Sequence, residues 1–95
     1  MNKRRFIRYQ SDRRIFARID TNVHRKVFQP DLVALVLDVS PGGCGLVVLA
    51  TENLKIRDQC VIQIAEEDPT PAEIAWRVDL DEQVIKLGVR YIEES

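Results

Sequence analysis

The apolar residues of this chain recur with a period of two, in short runs cut by turn-forming clusters, and nowhere with the 3.6-residue period of a helix. Ile15, Ala17 and Ile19 alternate with Phe16, Arg18 and Asp20. Val23 to Phe28 reads as a short continuation of that strand. Leu32 to Leu37 is an unbroken apolar run of strand formers. Cys44 to Ala50, Gln59 to Ala65, Ala72 to Asp79 and Val84 to Ile92 follow, the last with Ile85, Leu87, Val89 and Tyr91 on one face. Between them stand Gln29-Pro30-Asp31, Asp38-Val39-Ser40-Pro41-Gly42-Gly43, Thr51 to Arg57, Glu66-Glu67-Asp68-Pro69-Thr70-Pro71 and Leu80-Asp81-Glu82-Gln83, all read as turns or loops. Six or so short strands at regular spacing predict an all-β fold, a small sandwich or barrel. In 95 residues, one domain's worth, closing the sheet also removes its adhesive edges.

Residues 1–13 show neither period and are read as a flexible basic arm, leaving 14–92 for the barrel and 1–95 as a single domain. The net charge of −1 conceals an asymmetry. Residues 1–26 carry nine basic side chains against two acidic ones; the remainder carries five basic against thirteen acidic. Seven of the nine cations are Arg, whose planar fork of donors suits phosphate oxygens and whose flat face stacks on bases. The arm therefore points to an anionic partner or to attraction onto the acidic body, with a plain solvated tail as the bland alternative.

The chemistry classes that remain are few. A single His and this length argue against a multi-step enzyme. Cys44 and Cys60 form no CxxC pair and have no His neighbours, so no metal site is expected; both read as small buried hydrophobes of a reducing, cytoplasmic compartment. No apolar run reaches the roughly 18 residues of a membrane span, and the basic start lacks the apolar stretch of a secretory signal.

Two constellations carry chemistry. Arg4-Arg5-Phe6-Ile7-Arg8 sets arginines four apart with one between, so that several forks can converge on a multiply charged ligand. A similar run, Arg14 to Arg18, lies in a predicted strand, where residues four apart stand about 13 Å from each other and converge poorly. In Asp38-Val39-Ser40-Pro41-Gly42-Gly43, Asp38 and Ser40 point the same way at a strand end. A carboxylate there can accept from the N1–H and N2 amine of a guanine, and a hydroxyl adds one further bond. Gly43, without a Cβ, permits an unusual backbone angle and close approach of a ligand. The same six residues read equally well as a plain turn capped by Asp and Ser.

In combination they are more specific. RxxxR at Arg4–Arg8, about thirty residues, then Asp38-x-Ser40-x-x-Gly43 behind an apolar strand resembles the PilZ domain. Ala72-Glu73-Ile74-Ala75-Trp76 and Leu87-Gly88-Val89-Arg90-Tyr91 resemble later strands of that family. The resemblance implies a six-stranded antiparallel β-barrel of bacterial second-messenger signalling that binds cyclic di-GMP. It further implies that Arg4 and Arg8 hold phosphates and stack on guanine, that Arg5 supports them, that Asp38 and Ser40 read a guanine edge, and that Gly43 is needed sterically. The arm would close over the ligand on the barrel surface and signal to a downstream protein partner. No cofactor is implied.

The rival readings are a nucleic-acid-binding small barrel, which would need an exposed aromatic array that the sequence lacks, and an interaction module without nucleotide affinity. A Ser40–His24 hydrolase triad has no G-x-S-x-G elbow to order it; His24 reads as solvated. Glu66, Glu67 and Asp68 read as a solvated loop. Trp76 shares a strand face with Ile74 and Val78, so packing in the core is the expectation and stacking on a ligand purine the minority reading.

Overall fold

The computed structural model describes residues 15–24, 26–49 and 54–92. The basic arm, with Arg4, Arg5 and Arg8, and Arg14 lie outside the described residues. Six strands form in chain order: β1 (Phe16–Asp20), β2 (Leu32–Ser40), β3 (Gly43–Leu49), β4 (Gln59–Ile64), β5 (Thr70–Asp79) and β6 (Val84–Tyr91). All neighbours are antiparallel, and the order β1-β2-β3-β6-β5-β4 closes on itself through the β1–β4 pair.

The alternation read from the sequence becomes the inside and outside of this barrel. Ala17 and Ile19 of β1, Leu46 and Val48 of β3, Ile62 and Ile64 of β4, and Ile85 and Leu87 of β6 all lie buried in one core cluster. Side chains of this size fill a barrel of six strands without leaving a channel. Cys44 and Cys60 are buried with them, as expected. Leu54 closes the core from the β3–β4 connection and is 2% exposed. Among the described residues no helix is long and apolar enough to cross a membrane.

Three local expectations are corrected. The continuation of β1 through Val23 to Phe28 does not form; Val23 and His24 lie in a turn, Lys26 and Val27 in a bend. The pairing of β1 ends at Ile19 with Leu32, the first residue of β2, and at Asp20 with Val61 of β4, so residues beyond Asp20 have no ladder to join. The connection is instead gathered around a buried carboxylate. Asp20, 1% exposed, accepts from the Asn22 and Gln29 backbone N–H groups, each at 2.9 Å. Asp31 binds the other side of the same turn, accepting from Thr21 N–H at 3.1 Å and from its hydroxyl. Second, the cluster from Asp38 to Gly43 is mostly strand: β2 runs to Ser40 and β3 starts at Gly43, leaving only Pro41 and Gly42 to reverse the chain. Third, β5 starts at Thr70 and includes Pro71, which the sequence places in a loop.

Candidate functional site

The strands flanking β3 and β6 each change phase once. Along β2, Leu32, Ala34 and Val36 face the core; the register slips between Val36 and Asp38, and Val39 then faces inward instead. Without that bulge the even positions would stay inside, and Asp38 and Ser40 would enter the barrel. A carboxylate there would lose its water without a partner charge, which is prohibitive. With it, both residues are exposed on the outer surface. β5 behaves alike: Ala72 and Ile74 face the core, the register slips between Ile74 and Trp76, and Trp76 emerges on the outside. Trp76 is 41% exposed, so the expected core position is corrected. Strict alternation puts Trp76 inside with Ile74; one extra residue in the ladder reverses it. Bulges re-aim side chains in this way beside functional sites.

The two bulges bring their residues onto one surface. The cross-strand partners Asp38, Gly45, Gly88 and Trp76 form a row over β2, β3, β6 and β5, and Ser40, Gly43, Arg90 and Glu73 form the next row. At about 4.8 Å per strand, each row spans about 14 Å. The floor is glycine. A Cβ on Gly43 would fall 2.0 Å from the Val89 carbonyl oxygen, and one on Gly45 3.0 Å from Asp38 Oδ1. A Cβ on Gly88 would fall 2.2 Å from the indole of Trp76, so the ring lies directly on that backbone. No glycine among the described residues has a positive φ. The expectation that Gly43 supplies an unusual backbone angle is therefore replaced by a packing reason, close contact with β6.

The walls are polar on one side and aromatic on the other. Asp38 Oδ1 accepts from Gly45 N–H at 3.0 Å, which fixes the carboxylate against β3. The Ser40 hydroxyl donates to the Gly43 carbonyl at 3.2 Å. Opposite them stand Trp76, with the Lys86 ammonium 5.8 Å from its ring centroid, and Arg90, whose Nη2 meets Glu73 Oε1 at 2.5 Å. The shallow concavity between the walls measures about 280 Å³, and its lining includes Asp38, Ser40, Gly43, Gly45, Gly88 and Trp76. An acceptor carboxylate, a hydroxyl and a half-exposed indole over a glycine floor suit a planar heterocycle that carries N–H donors.

Other chemistry finds less support. Ser40 gives its proton to a carbonyl and not to a histidine, while His24 lies exposed in the β1–β2 connection. Among the described residues no group of His, Cys, Asp and Glu is arranged to hold a metal ion. Burial, with the Asp58 carboxylate adding to it, pushes the Cys60 thiol up from 9.0 to about 11, so it stays protonated and unreactive. Arg18 is exposed on β1 opposite Val33 and Gln63, outside both rows.

The structure thus brings Asp38, Ser40, Gly43 and Trp76 together, while Arg4, Arg5 and Arg8 lie outside the described residues. Sequence reasoning missed Gly45, Gly88, Glu73 and Arg90. Gly43 and Gly45, two apart in a strand, were a readable sign of a bare outer face. Nothing local announces that Gly88 lies beneath Trp76, because β5–β6 pairing alone creates that contact.

Comparison with curated proteins finds no match, and comparison with solved structures finds none. The family model for the PilZ domain matches residues 2–95. A chain matched over essentially its whole length, and closed into a six-stranded antiparallel barrel, belongs to the PilZ family of cyclic di-GMP receptor domains.

Proposed function

We propose that this protein is a cyclic di-GMP receptor that uses the outer surface of β2, β3, β6 and β5 as its platform. The observation that carries the reading is the row Asp38–Gly45–Gly88–Trp76, in which the Asp38 carboxylate lies against Gly45 and the Trp76 indole lies on Gly88, so that an acceptor for a guanine edge and an aromatic ring share one surface. The Asp38 carboxylate, held through Oδ1, accepts from the N1–H and N2 amine of a guanine; Ser40 supplies one more polar contact. Trp76 offers the π-face for a base, a contact that tolerates the ring's position better than it tolerates loss of the ring.

The two phosphates call for cations that the glycine floor does not supply. Arg4, Arg5 and Arg8 are assigned that role, with the arm closing over a ligand already seated by Asp38 and Ser40. β1 enters the barrel beside β2, where the Val36 N–H donates to the Ile15 carbonyl at 2.8 Å. The seven residue steps from Arg8 to Ile15 reach at most about 25 Å, more than the roughly 14 Å that each row spans. The closed arm then presents a new surface to a downstream protein partner, so that messenger concentration becomes an interaction. Binding needs no cofactor and involves no turnover.

Calorimetric titration with cyclic di-GMP, beside GTP, cyclic GMP and a short RNA, tests the reading. Saturable heat with the dinucleotide alone supports it. Equal or stronger binding of RNA, weakening steeply with salt, favours a nucleic-acid barrel. Silence with all four ligands leaves the interaction module without nucleotide affinity.

A further inference from the structure

The row beside the guanine-reading one ends in an ion pair that the proposed guanine contacts do not use. Ser40, Gly43, Arg90 and Glu73 are cross-strand partners in sequence, so Arg90 rises from the floor immediately beside bare Gly43. Its alternation with buried Val89 turns it outward, and its side chain is 67% exposed. Glu73 is more enclosed, 24% exposed, and takes one guanidinium nitrogen, Nη2, through Oε1. The pair holds the cation toward β5, on the side of the platform away from Ser40. Pairing through one nitrogen leaves most of the five N–H donors of Arg90 for another acceptor.

We infer that Arg90 is a fourth phosphate-binding arginine of the platform and that Glu73 is its latch, a carboxylate that holds Arg90 to one side and competes with the incoming phosphate. The inference rests on the proposed cyclic di-GMP site and adds a regulation to it. Three observations carry it. Gly43, the cross-strand neighbour of Arg90, lines the concavity and has no side chain. The floor itself is uncharged, and Asp38 at its edge adds a negative charge that a dianionic ligand must face. An exposed ion pair of this kind contributes little to folding, so it is readily exchanged for a phosphate oxygen. Glu73 therefore sets the affinity: the ligand gains a charge-assisted hydrogen bond from Arg90 only by displacing the carboxylate.

The test is a double-mutant cycle on the full chain, with cyclic di-GMP as the probe and calorimetry as the readout. Arg90→Gln is expected to weaken binding roughly tenfold, the loss of one charge-assisted contact. Glu73→Gln is expected to tighten it about threefold to tenfold, because the competitor for Arg90 is gone. The double variant should bind like Arg90→Gln alone, since Glu73 acts only through Arg90. A purely structural ion pair would instead give two losses of the same sign, matched by falls in the unfolding temperature. Wild-type affinity in Arg90→Gln overturns the inference and leaves the cyclic di-GMP reading standing, and weakened binding in Glu73→Gln overturns the latch. Absence of binding by the wild type overturns both.

Discussion

The indole of Trp76 lies on Gly88, so close that a methyl group on that glycine would sit 2.2 Å from ring atoms Cε2 and Nε1. The two residues are cross-strand partners on β5 and β6, one residue past the β5 bulge. This contact makes an exposed tryptophan a fixed surface: the ring is supported from below by backbone and flanked by Lys86. The chain holds one tryptophan, so its fluorescence reports on this position alone. Cyclic di-GMP is expected to change that emission saturably. Gly88→Ala should lift the ring, alter the emission of the free protein and weaken binding roughly tenfold, as should Trp76→Ala. Unchanged affinity in both variants would remove the aromatic wall from the site.

Asp38 is exposed and accepts from one backbone N–H. Replacing it by Ala should therefore abolish measurable binding while moving stability by less than about 1 kcal/mol, the worth of a single solvated hydrogen bond. Arg8→Ala should do the same. Arg18→Ala, which removes a cation from outside both rows, should leave affinity near wild type. A thermal melt beside each titration separates the ligand effect from unfolding. Normal binding by Asp38→Ala would place the guanine elsewhere.

Asp20 is buried and serves two backbone donors that have no strand to join. Asp20→Ala leaves both N–H groups without that acceptor, and about 3 kcal/mol of stability should be lost in urea unfolding. Asp20→Asn should cost less, because one amide oxygen can still accept. The cyclic di-GMP affinity of whatever fraction remains folded should be unaffected, since the turn lies on the β1–β2 connection and not on the platform.

The thiol of Cys60 supplies a pH signature. Desolvation first, and then the charge of Asp58, raise it from 9.0 to about 11. Between those values the folded chain keeps a proton that the unfolded chain has released. Native protein therefore binds more protons, and stability must fall as pH rises through the window, levelling above it. The loss across that window is about 3 kcal/mol at most, at about 1.4 kcal/mol for each pH unit. Cys60→Ala should flatten the part of the alkaline limb that this thiol causes. An identical pH–stability curve in the variant would show that other groups produce the whole decline.

The period-two pattern and the turn clusters made the six-stranded fold legible without coordinates. Hydrophobic alternation fixes which face each strand must hide, and β4 with Cys60, Ile62 and Ile64 inside follows it without exception. The motif positions Asp38, Ser40 and Gly43 were readable too, although Gly43 packs against Val89 and has no unusual backbone angle. Position in the chain could not reveal the two bulges. A bulge depends on how one strand's register meets its neighbour's, and the letters of β2 or β5 alone do not contain that.

The sequence by itself determined that this chain is a small all-β fold of about six strands, that its N-terminal segment is basic, and which strand end carries Asp38 and Ser40. Each is a matter of local composition and spacing, which survive without any knowledge of who pairs with whom. Only the tertiary structure decided that Trp76 faces out, that Gly45 and Gly88 form the ground between it and Asp38, and that Arg90 meets Glu73 beside Gly43. Those residues lie up to fifty positions apart and become neighbours only when hydrogen-bonded ladders fix the register. A slip of one residue would turn every one of them to the opposite face of the sheet.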